Sequence, residues 1–339
     1  MPRATIRRLR RVLAILGLVI AVCASAAARA DTVYAVSNND GRIIRYDSSN
    51  PASSVVTLSG SGAIVSAAGL ALGPDGNLYI GENGDFATIA PNIKRFDLTN
   101  SSLSTVYSFQ LFDVFPGALL FKGNDLLVGR NPFFGNTGAI VKIANATGSS
   151  AVATEYTSGV TLASSPGLAL GPDGSLYVSN QTYDFGTSVA SGPVLKFNAS
   201  GGYIGEVVAG GTASGLYGPT GLGIHDSKLF TSSIMNGAVL QTNLLDDSTA
   251  SFGTTGLPYG ASPLAVLSDG SVLVGSAGGA GAIYEFDGSG SLVGTFNSGL
   301  GTIGGLAVVP VPEPATIVTT MIGVAGAMTC LRCRGRSRS

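Results

Sequence analysis

A chain of 339 residues is long enough for one large domain or two ordinary ones. Of its 19 basic residues, six lie in the first 30 positions and four follow the last apolar run, so nine remain in residues 31–314 beside all 20 acidic residues. This acidic region lacks the clustered Lys and Arg that nucleic-acid binding requires, which excludes that class of protein. The three cysteines, Cys23, Cys330 and Cys333, lie in the terminal segments, so the central region has neither a disulfide nor a cysteine-ligated zinc site.

The first 30 residues have the pattern of a signal peptide. A basic stretch precedes the apolar run Val12–Val22, and Ala28 and Ala30 flank Arg29 in a small-x-small cleavage site. The apolar run is shorter than the about 20 residues that span a bilayer. We therefore expect cleavage after Ala30 and a mature chain that begins at Asp31 outside the cytoplasm.

The central region, residues 31–310, contains an internal repeat. "GLALGPDGNLYI" at Gly69 and "GLALGPDGSLYV" at Gly167 match nearly letter for letter, and weaker copies begin at Gly117, Gly221 and Pro263. Each copy predicts an apolar first strand, a tight turn with Gly, an alternating second strand, a third strand and a more polar fourth strand. Four antiparallel strands in a unit of this length are typical of a β-propeller blade.

The two ends of the array complement each other. The segment after Asp31 has the second, third and fourth strands but no first strand, whereas the segment from Gly301 has only a first strand. Joined, they form one blade with the C-terminal strand innermost, which closes the ring and removes exposed sheet edges. We therefore predict an all-β, six-bladed β-propeller with first strands near Leu70, Leu119, Leu168, Leu222, Leu264 and Leu306.

The repeat phrase "PGLALGPDGSLYV" resembles the NHL-repeat and SMP-30/gluconolactonase-like group of six-bladed propellers. The resemblance covers roughly residues 32–309 and implies the fold. It does not imply one activity, because such propellers include lactonases, lyases and binding scaffolds.

The lactonase branch of that group implies a divalent metal held by Glu, Asn and Asp oxygens at the channel mouth. The candidates follow the second strands, and their oxygen atoms suit Ca²⁺: Glu82, Asn131, Asn180 and Asn236. The favoured alternative is that these asparagines end strands because Asn tolerates turn conformations. A lyase would need a histidine base, and the single histidine, His225, is predicted in a turn away from the mouth, where a structural role is favoured.

Two further loop features have local interpretations. The Asp-Gly pairs at Asp40, Asp75, Asp173 and Asp269 lack the spacing of a calcium loop, so we interpret them as turns. Aromatic residues in long loops either form a rim that binds carbohydrate or a partner, or fold back to plug the channel. Both alternatives stay open for Phe133, Phe134, Tyr183 and Phe185.

The C-terminal segment, residues 311–339, has three parts in order. Val311-Pro312-Glu313-Pro314 precedes the apolar run Ala315–Leu331, and a basic tail follows with Arg332, Arg334 and Arg336. This order resembles the PEP-CTERM sorting signal of Gram-negative exosortase systems. The resemblance implies recognition by an exosortase-type membrane peptidase near the Pro-Glu-Pro motif and delivery to the cell surface or matrix. A run of about 17 residues is at the lower limit for a transmembrane helix, and the arginines would hold its end in the cytoplasm.

Together these features favour a binding or structural module over an enzyme. We expect signal peptidase and an exosortase-type peptidase to process the protein during export. The mature protein is then expected to bind polysaccharide or other surface proteins in the envelope or matrix. The alternative is a metal-dependent, lactonase-like hydrolase that uses Ca²⁺. Convergence of acidic and amide oxygens at the channel mouth would distinguish the two.

Overall fold

A computed structural model describes residues 31–310, apart from 60–61, 86, 113, 133–136, 185, 212–213, 258–261 and 280. Within it, Asp31–Val309 is one contact unit of 26 strands and a four-residue helix among the described residues. The predicted signal peptide (1–30) and sorting segment (311–339), with their cleavage site, motif and arginines, lie outside the described residues. Nowhere in the described part is a helix both long and apolar enough to cross a membrane.

The strands form six four-stranded antiparallel sheets, which are the predicted blades, and each blade runs from an innermost strand outward. Blade 1 consists of β26 (Ile303–Val309), β1 (Thr32–Ser37), β2 (Ile43–Asp47) and β3 (Val56–Ser59), and helix α1 (Pro51–Ser54) joins its last two strands. Blade 2 consists of β4 (Ala67–Leu72), β5 (Leu78–Glu82), β6 (Asn92–Phe96) and β7 (Leu103–Ser108). Blade 3 consists of β8 (Val114–Lys122), β9 (Asp125–Pro132), β10 (Ala139–Ala144) and β11 (Val152–Glu155).

The other three blades follow in chain order, and blade 4 carries an extra hairpin. Blade 4 consists of β12 (Leu168–Leu170), β13 (Leu176–Ser179), β16 (Val194–Phe197) and β17 (Tyr203–Val208), with the hairpin β14 (Thr182–Asp184) and β15 (Val189–Ser191) inserted. Blade 5 consists of β18 (Pro219–His225), β19 (Lys228–Ser233), β20 (Ala238–Asn243) and β21 (Thr249–Thr254). Blade 6 consists of β22 (Leu264–Val266), β23 (Val272–Gly275), β24 (Ala282–Phe286) and β25 (Leu292–Asn297).

The ring closes as the sequence predicts. β26 pairs antiparallel with β1, with Thr32 opposite Val309 and Ala35 opposite Leu306. The six buried apolar clusters each join neighbouring blades, so the core is a ring of interblade contacts. The prediction of an all-β, six-bladed β-propeller is confirmed.

Burial within a blade follows the sequence pattern. Every residue of β5 is buried, whereas β7, at the outer edge of the same blade, is half-buried or exposed along its whole length. A second strand has blades packed against both faces, so its sequence is a continuous apolar run. An outermost strand faces solvent and therefore carries polar residues.

The Asp-Gly pairs are turns, as interpreted from the sequence. Gly76 adopts a φ of 75° and Gly174 one of 78°, conformations that L side chains rarely adopt. The Asp75 carboxylate accepts hydrogen bonds from the main-chain N–H of Asn77 (3.3 Å), its side-chain Nδ2 (2.9 Å) and the Tyr79 hydroxyl (3.1 Å). The turn is thus tied to the strand that follows it.

These contacts predict an acid-sensitive turn. Burial raises the pKa of Asp75, but the hydrogen bonds from Asn77 and Tyr79 and the charge of Arg95 outweigh it and hold that pKa below its usual value. The ionised carboxylate therefore stabilises the fold above the unfolded-state pKa of about 4, and this stabilisation is lost as pH falls through the folded-state pKa.

We expect Asp75→Asn to lower the free energy of unfolding by about 1 kcal/mol at neutral pH. The difference from the wild type should shrink at about pH 3, because the wild-type carboxyl is then becoming protonated as well. Urea unfolding at both pH values measures this, with Glu155→Gln on the exposed face of β11 as the control. A difference that is as large in acid as at neutral pH would contradict the role of the ionised carboxylate.

Candidate functional site

The central channel is lined by side chains without charge or hydrogen-bonding groups. It holds a cavity of about 170 Å³, and the innermost strands and the segments before them supply its lining. The lining residues are Ala, Pro, Gly and Leu only, and they include the six predicted leucines Leu70, Leu119, Leu168, Leu222, Leu264 and Leu306. These side chains offer no general acid, base or metal ligand.

Glu82, the first metal-ligand candidate, ends β5 and is completely buried. One carboxylate oxygen, Oε1, accepts the main-chain N–H of Val65 at 2.6 Å and lies 3.0 Å from Nζ of Lys94. The other oxygen, Oε2, accepts a hydrogen bond from Nδ2 of Asn92. The carboxylate is thus neutralised by a lysine and holds the segment that leads into β4.

Asn131 and Asn180 hold one segment from two sides. Oδ1 of Asn131, in β9, accepts the main-chain N–H of Ser165 at 2.7 Å and the hydroxyl of Ser164 at 2.9 Å. Oδ1 of Asn180, directly after β13, accepts the N–H of Ala163 at 2.7 Å. The segment that enters β12 is therefore fixed by both blade 3 and blade 4.

Asn236 lies in the loop after β19 and is exposed. Its Nδ2 donates to the carbonyl of Gly215 at 3.0 Å, and its Oδ1 accepts the N–H of Ala238 at 3.2 Å. Like the other three candidates, it binds neighbouring main chain, in this case just before the innermost strand of its own blade.

These contacts do not fit a shared calcium site. Ca²⁺ needs six to eight oxygen ligands, and the candidate oxygens already accept hydrogen bonds, one of them beside the cation of Lys94. Within the described residues, moreover, no group of three or more His, Cys, Asp or Glu side chains could hold a metal ion. Ca²⁺ binding at this mouth stays a prediction, and the contacts support the alternative in which these residues fasten turns.

Two serines that sequence analysis missed have the same role. Ser37 ends β1, and its hydroxyl donates to the carbonyl of Leu300 at 2.7 Å. Ser233 ends β19; its hydroxyl accepts the N–H of Tyr217 and donates to the carbonyl of that residue, both at 2.9 Å. The available signal was positional, since both serines stand where the other blades carry Glu82 and Asn180. In five of the six blades, then, a side chain at or just after the end of the second strand is hydrogen-bonded to main chain that leads into an innermost strand. We call these segments, which precede the innermost strands, the mouth of the channel.

Of the predicted aromatic rim, the structure describes only Tyr183; Phe133, Phe134 and Phe185 lie outside the described residues. Tyr183 is 48% exposed and lies in β14, opposite Ala190 of β15. Hydrogen bonds from the Thr187 hydroxyl and the Gly186 N–H hold the pKa of Asp184 below its usual value. The ionised Asp184 thus fastens the turn of the hairpin that presents Tyr183.

His225 ends β18, as part of the turn that leads into β19. Its Nε2 lies 3.2 Å from the carbonyl oxygen of Ser268 in blade 6, and its Nδ1 lies 3.5 Å from Oδ2 of Asp226. The ring therefore bridges two neighbouring turns, in accord with a structural role.

Fold and channel together define the class of this protein, a six-bladed β-propeller whose channel is lined by apolar side chains and glycine. Solved structures share the fold. A chain in the crystal structure of a nidogen/laminin complex matches with a TM-score of 0.63 at 13% identity, over 82% of this chain and 97% of that one. A protein of unknown function from Bacteroides caccae matches with a TM-score of 0.57 at 13% identity, over 83% and 99% of the two chains. No family model matches the sequence, and no curated protein does.

Proposed function

We propose that this chain is an exported β-propeller that acts as a binding or structural module of the cell envelope or extracellular matrix. One observation carries the proposal: the side chains at the mouth are used to fasten main chain, while the channel is lined by apolar residues and glycine. A rigid ring with fastened loops suits recognition, because binding residues concentrate on loops that a scaffold positions.

The cellular localisation of the protein is proposed from its two terminal segments. Residues 1–30 are the signal peptide, 31–310 the propeller, of NHL/SMP-30-like type, and 311–339 the PEP-CTERM sorting segment. Signal peptidase and an exosortase-type peptidase are the partners during export. The propeller then binds polysaccharide or surface proteins through the loops that carry Tyr183, Phe133, Phe134 and Phe185.

Mass spectrometry of the exported protein tests this localisation, because it identifies both mature termini. We expect an N-terminus at Asp31 and a C-terminus near Pro314, without the arginine tail. A mature protein that retains Arg332–Arg338 would mean a permanent anchor.

Binding of the full chain to polysaccharide purified from the producing cells tests the activity, and Tyr183→Ala should weaken that binding roughly tenfold if the tyrosine stacks on a sugar.

The lactonase alternative has its own test. Because the candidate ligands are engaged with main chain, we expect no hydrolysis of a panel of lactones, with or without added Ca²⁺. Asn180→Ala is the matched variant, since it removes one candidate ligand and one loop contact. Calcium-dependent hydrolysis that disappears in this variant, while the thermal midpoint is retained, would replace the binding module with a hydrolase.

A further inference from the structure

A second cavity lies away from the channel, between blade 6 and blade 1. It measures about 430 Å³, within the range of about 300–1,000 Å³ that is typical of ligand sites. We call it the interblade pocket and define it by Tyr46 and Ser49 of blade 1 and by Leu273, Glu285, Val293 and Phe296 of blade 6. Its lining combines aromatic and aliphatic surface with one charged side chain, Glu285.

The internal repeat shows what is unusual about that charge. In blades 2 and 4 the third-strand residue before the terminal Phe is a cation that pairs with the Asp of the blade's own Asp-Gly turn. Nε of Arg95 lies 3.2 Å from Oδ2 of Asp75, and Nζ of Lys196 lies 3.6 Å from Oδ2 of Asp173. In each blade a second-strand tyrosine stands opposite the cation in the ladder, Tyr79 or Tyr177.

Blade 6 inverts this arrangement. Glu285 replaces the cation, the turn still carries Asp269, and Leu273 replaces the tyrosine opposite. Burial, and then the negative charge of Asp269, raise the pKa of Glu285, and no Lys or Arg in the described part of the chain forms an ion pair with it. The pocket thus contains a half-buried carboxylate without a cation among the described residues, and Leu273 leaves room where blades 2 and 4 have a phenol.

Tyr46 supplies a second, independent observation that points to a ligand site. The side chain is 2% exposed and lines the pocket, and its hydroxyl finds no hydrogen-bond partner among the described residues. Its ring packs against Phe296 with 5.0 Å between centroids. A buried hydroxyl without a partner costs free energy, and a ligand atom in the pocket would remove that cost.

We propose that the interblade pocket binds the ammonium group of an alkylamine, the group that a lysine side chain carries. An ammonium has three donors; one or two reach the Glu285 carboxylate, and another reaches the phenolic oxygen of Tyr46. The alkyl chain lies against Val293 and Phe296, and the aromatic faces attract the cation. An anion is repelled by Glu285 and Asp269, and a neutral alcohol gains only part of this interaction. This inference goes beyond the proposed function and depends on neither export nor the loops at the mouth.

Isothermal titration calorimetry of the full chain at about pH 7 tests the ligand class, where alkylamines are protonated. The probes are n-butylamine, N-acetyl-lysine methylamide and, as the uncharged analogue, 1-butanol. We expect saturable binding of both amines and at least roughly tenfold weaker binding of 1-butanol. Tighter binding of the lysine derivative would identify a protein side chain as the source of the amine, and tighter binding of butylamine a free amine.

Two variants test the site itself. Glu285→Lys recreates the pair of blades 2 and 4 with Asp269, so we expect amine binding to fall at least roughly tenfold without a lower thermal midpoint. Tyr46→Phe keeps the shape and removes the hydroxyl, and should weaken binding roughly threefold or more. Glu206→Lys, on the exposed face of β17, makes the same change in net charge far from the pocket and should bind as the wild type does.

Three results would overturn the proposal: no saturable binding of either amine, equal binding of 1-butanol, or wild-type affinity in Glu285→Lys. None of them bears on export or on polysaccharide binding at the mouth, so failure of amine binding and failure of the proposed function are distinguishable.

Discussion

Deletion of β26, residues Ile303–Val309, is expected to leave a chain that no longer unfolds cooperatively. Ile303 and Leu306 are buried in the cluster that joins blade 6 to blade 1. Losing one such side chain costs about 2–5 kcal/mol, so losing both is comparable to a typical stability of about 5–15 kcal/mol, before the loss of the β26–β1 ladder is added. The deletion also exposes the edge of β1, which favours aggregation. Circular dichroism during thermal unfolding and size-exclusion chromatography measure both effects.

The matched control is a chain that ends after Pro310. It retains all six described blades, so we expect the same cooperative transition as the full chain. A milder variant, Leu306→Ala, should remain folded with a loss of about 2–4 kcal/mol in the free energy of unfolding. If the β26 deletion melts with the same midpoint and sharpness as the control, closure of the ring is not what stabilises it.

Replacing Glu82 with alanine is the second change with a large expected effect. The substitution leaves Lys94 without its carboxylate and leaves the N–H of Val65 without its acceptor, in a site that is completely closed to solvent around Glu82. Removing one partner of a buried pair costs about 3–5 kcal/mol; because the Lys94 side chain is 20% exposed, we expect a loss at the lower end of that range. Urea unfolding at neutral pH measures the loss.

Glu82→Gln and Asn236→Ala separate charge from hydrogen bonding. Gln keeps an oxygen acceptor but not the charge, so its loss should be smaller than that of alanine. Asn236→Ala removes the equivalent contact at an exposed position and should cost about 1 kcal/mol or less. Equal losses in Glu82→Ala and Asn236→Ala would show that burial of the ion pair contributes nothing.

The mouth of the channel and the interblade pocket are two separate proposed binding sites. At the mouth, side chains such as Asn131 and Asn180 already accept hydrogen bonds from the main chain, so we propose the loops beyond them as the recognition surface. In the pocket, the Glu285 carboxylate has no ion pair with a described Lys or Arg, and the Tyr46 hydroxyl has no hydrogen-bond partner among the described residues. The two proposals therefore place two ligands of different chemistry on one ring, and each can be tested without the other.

Sequence alone was sufficient for the architecture. The nearly identical copies at Gly69 and Gly167 set the length of a blade, and the incomplete ends after Asp31 and from Gly301 required a blade shared by both termini. This works because blade strands pair locally and each repeat contacts only its neighbours. Turn chemistry was equally local, since Gly in the Asp-Gly pairs adopts the positive φ that the turn requires.

Only the tertiary structure decided what the polar residues do. Asn131 reaches Ser164 and Ser165 of the next blade, and Ser37 reaches Leu300 from the opposite end of the chain. The repeat marks the position of Ser37 but does not specify these partners. The interblade pocket likewise needs Tyr46 and Glu285 from the two ends of the sequence to come together. Repeats encode the blade, but a hydrogen bond or a pocket depends on side chains from two blades. Their distance is set only when the ring closes.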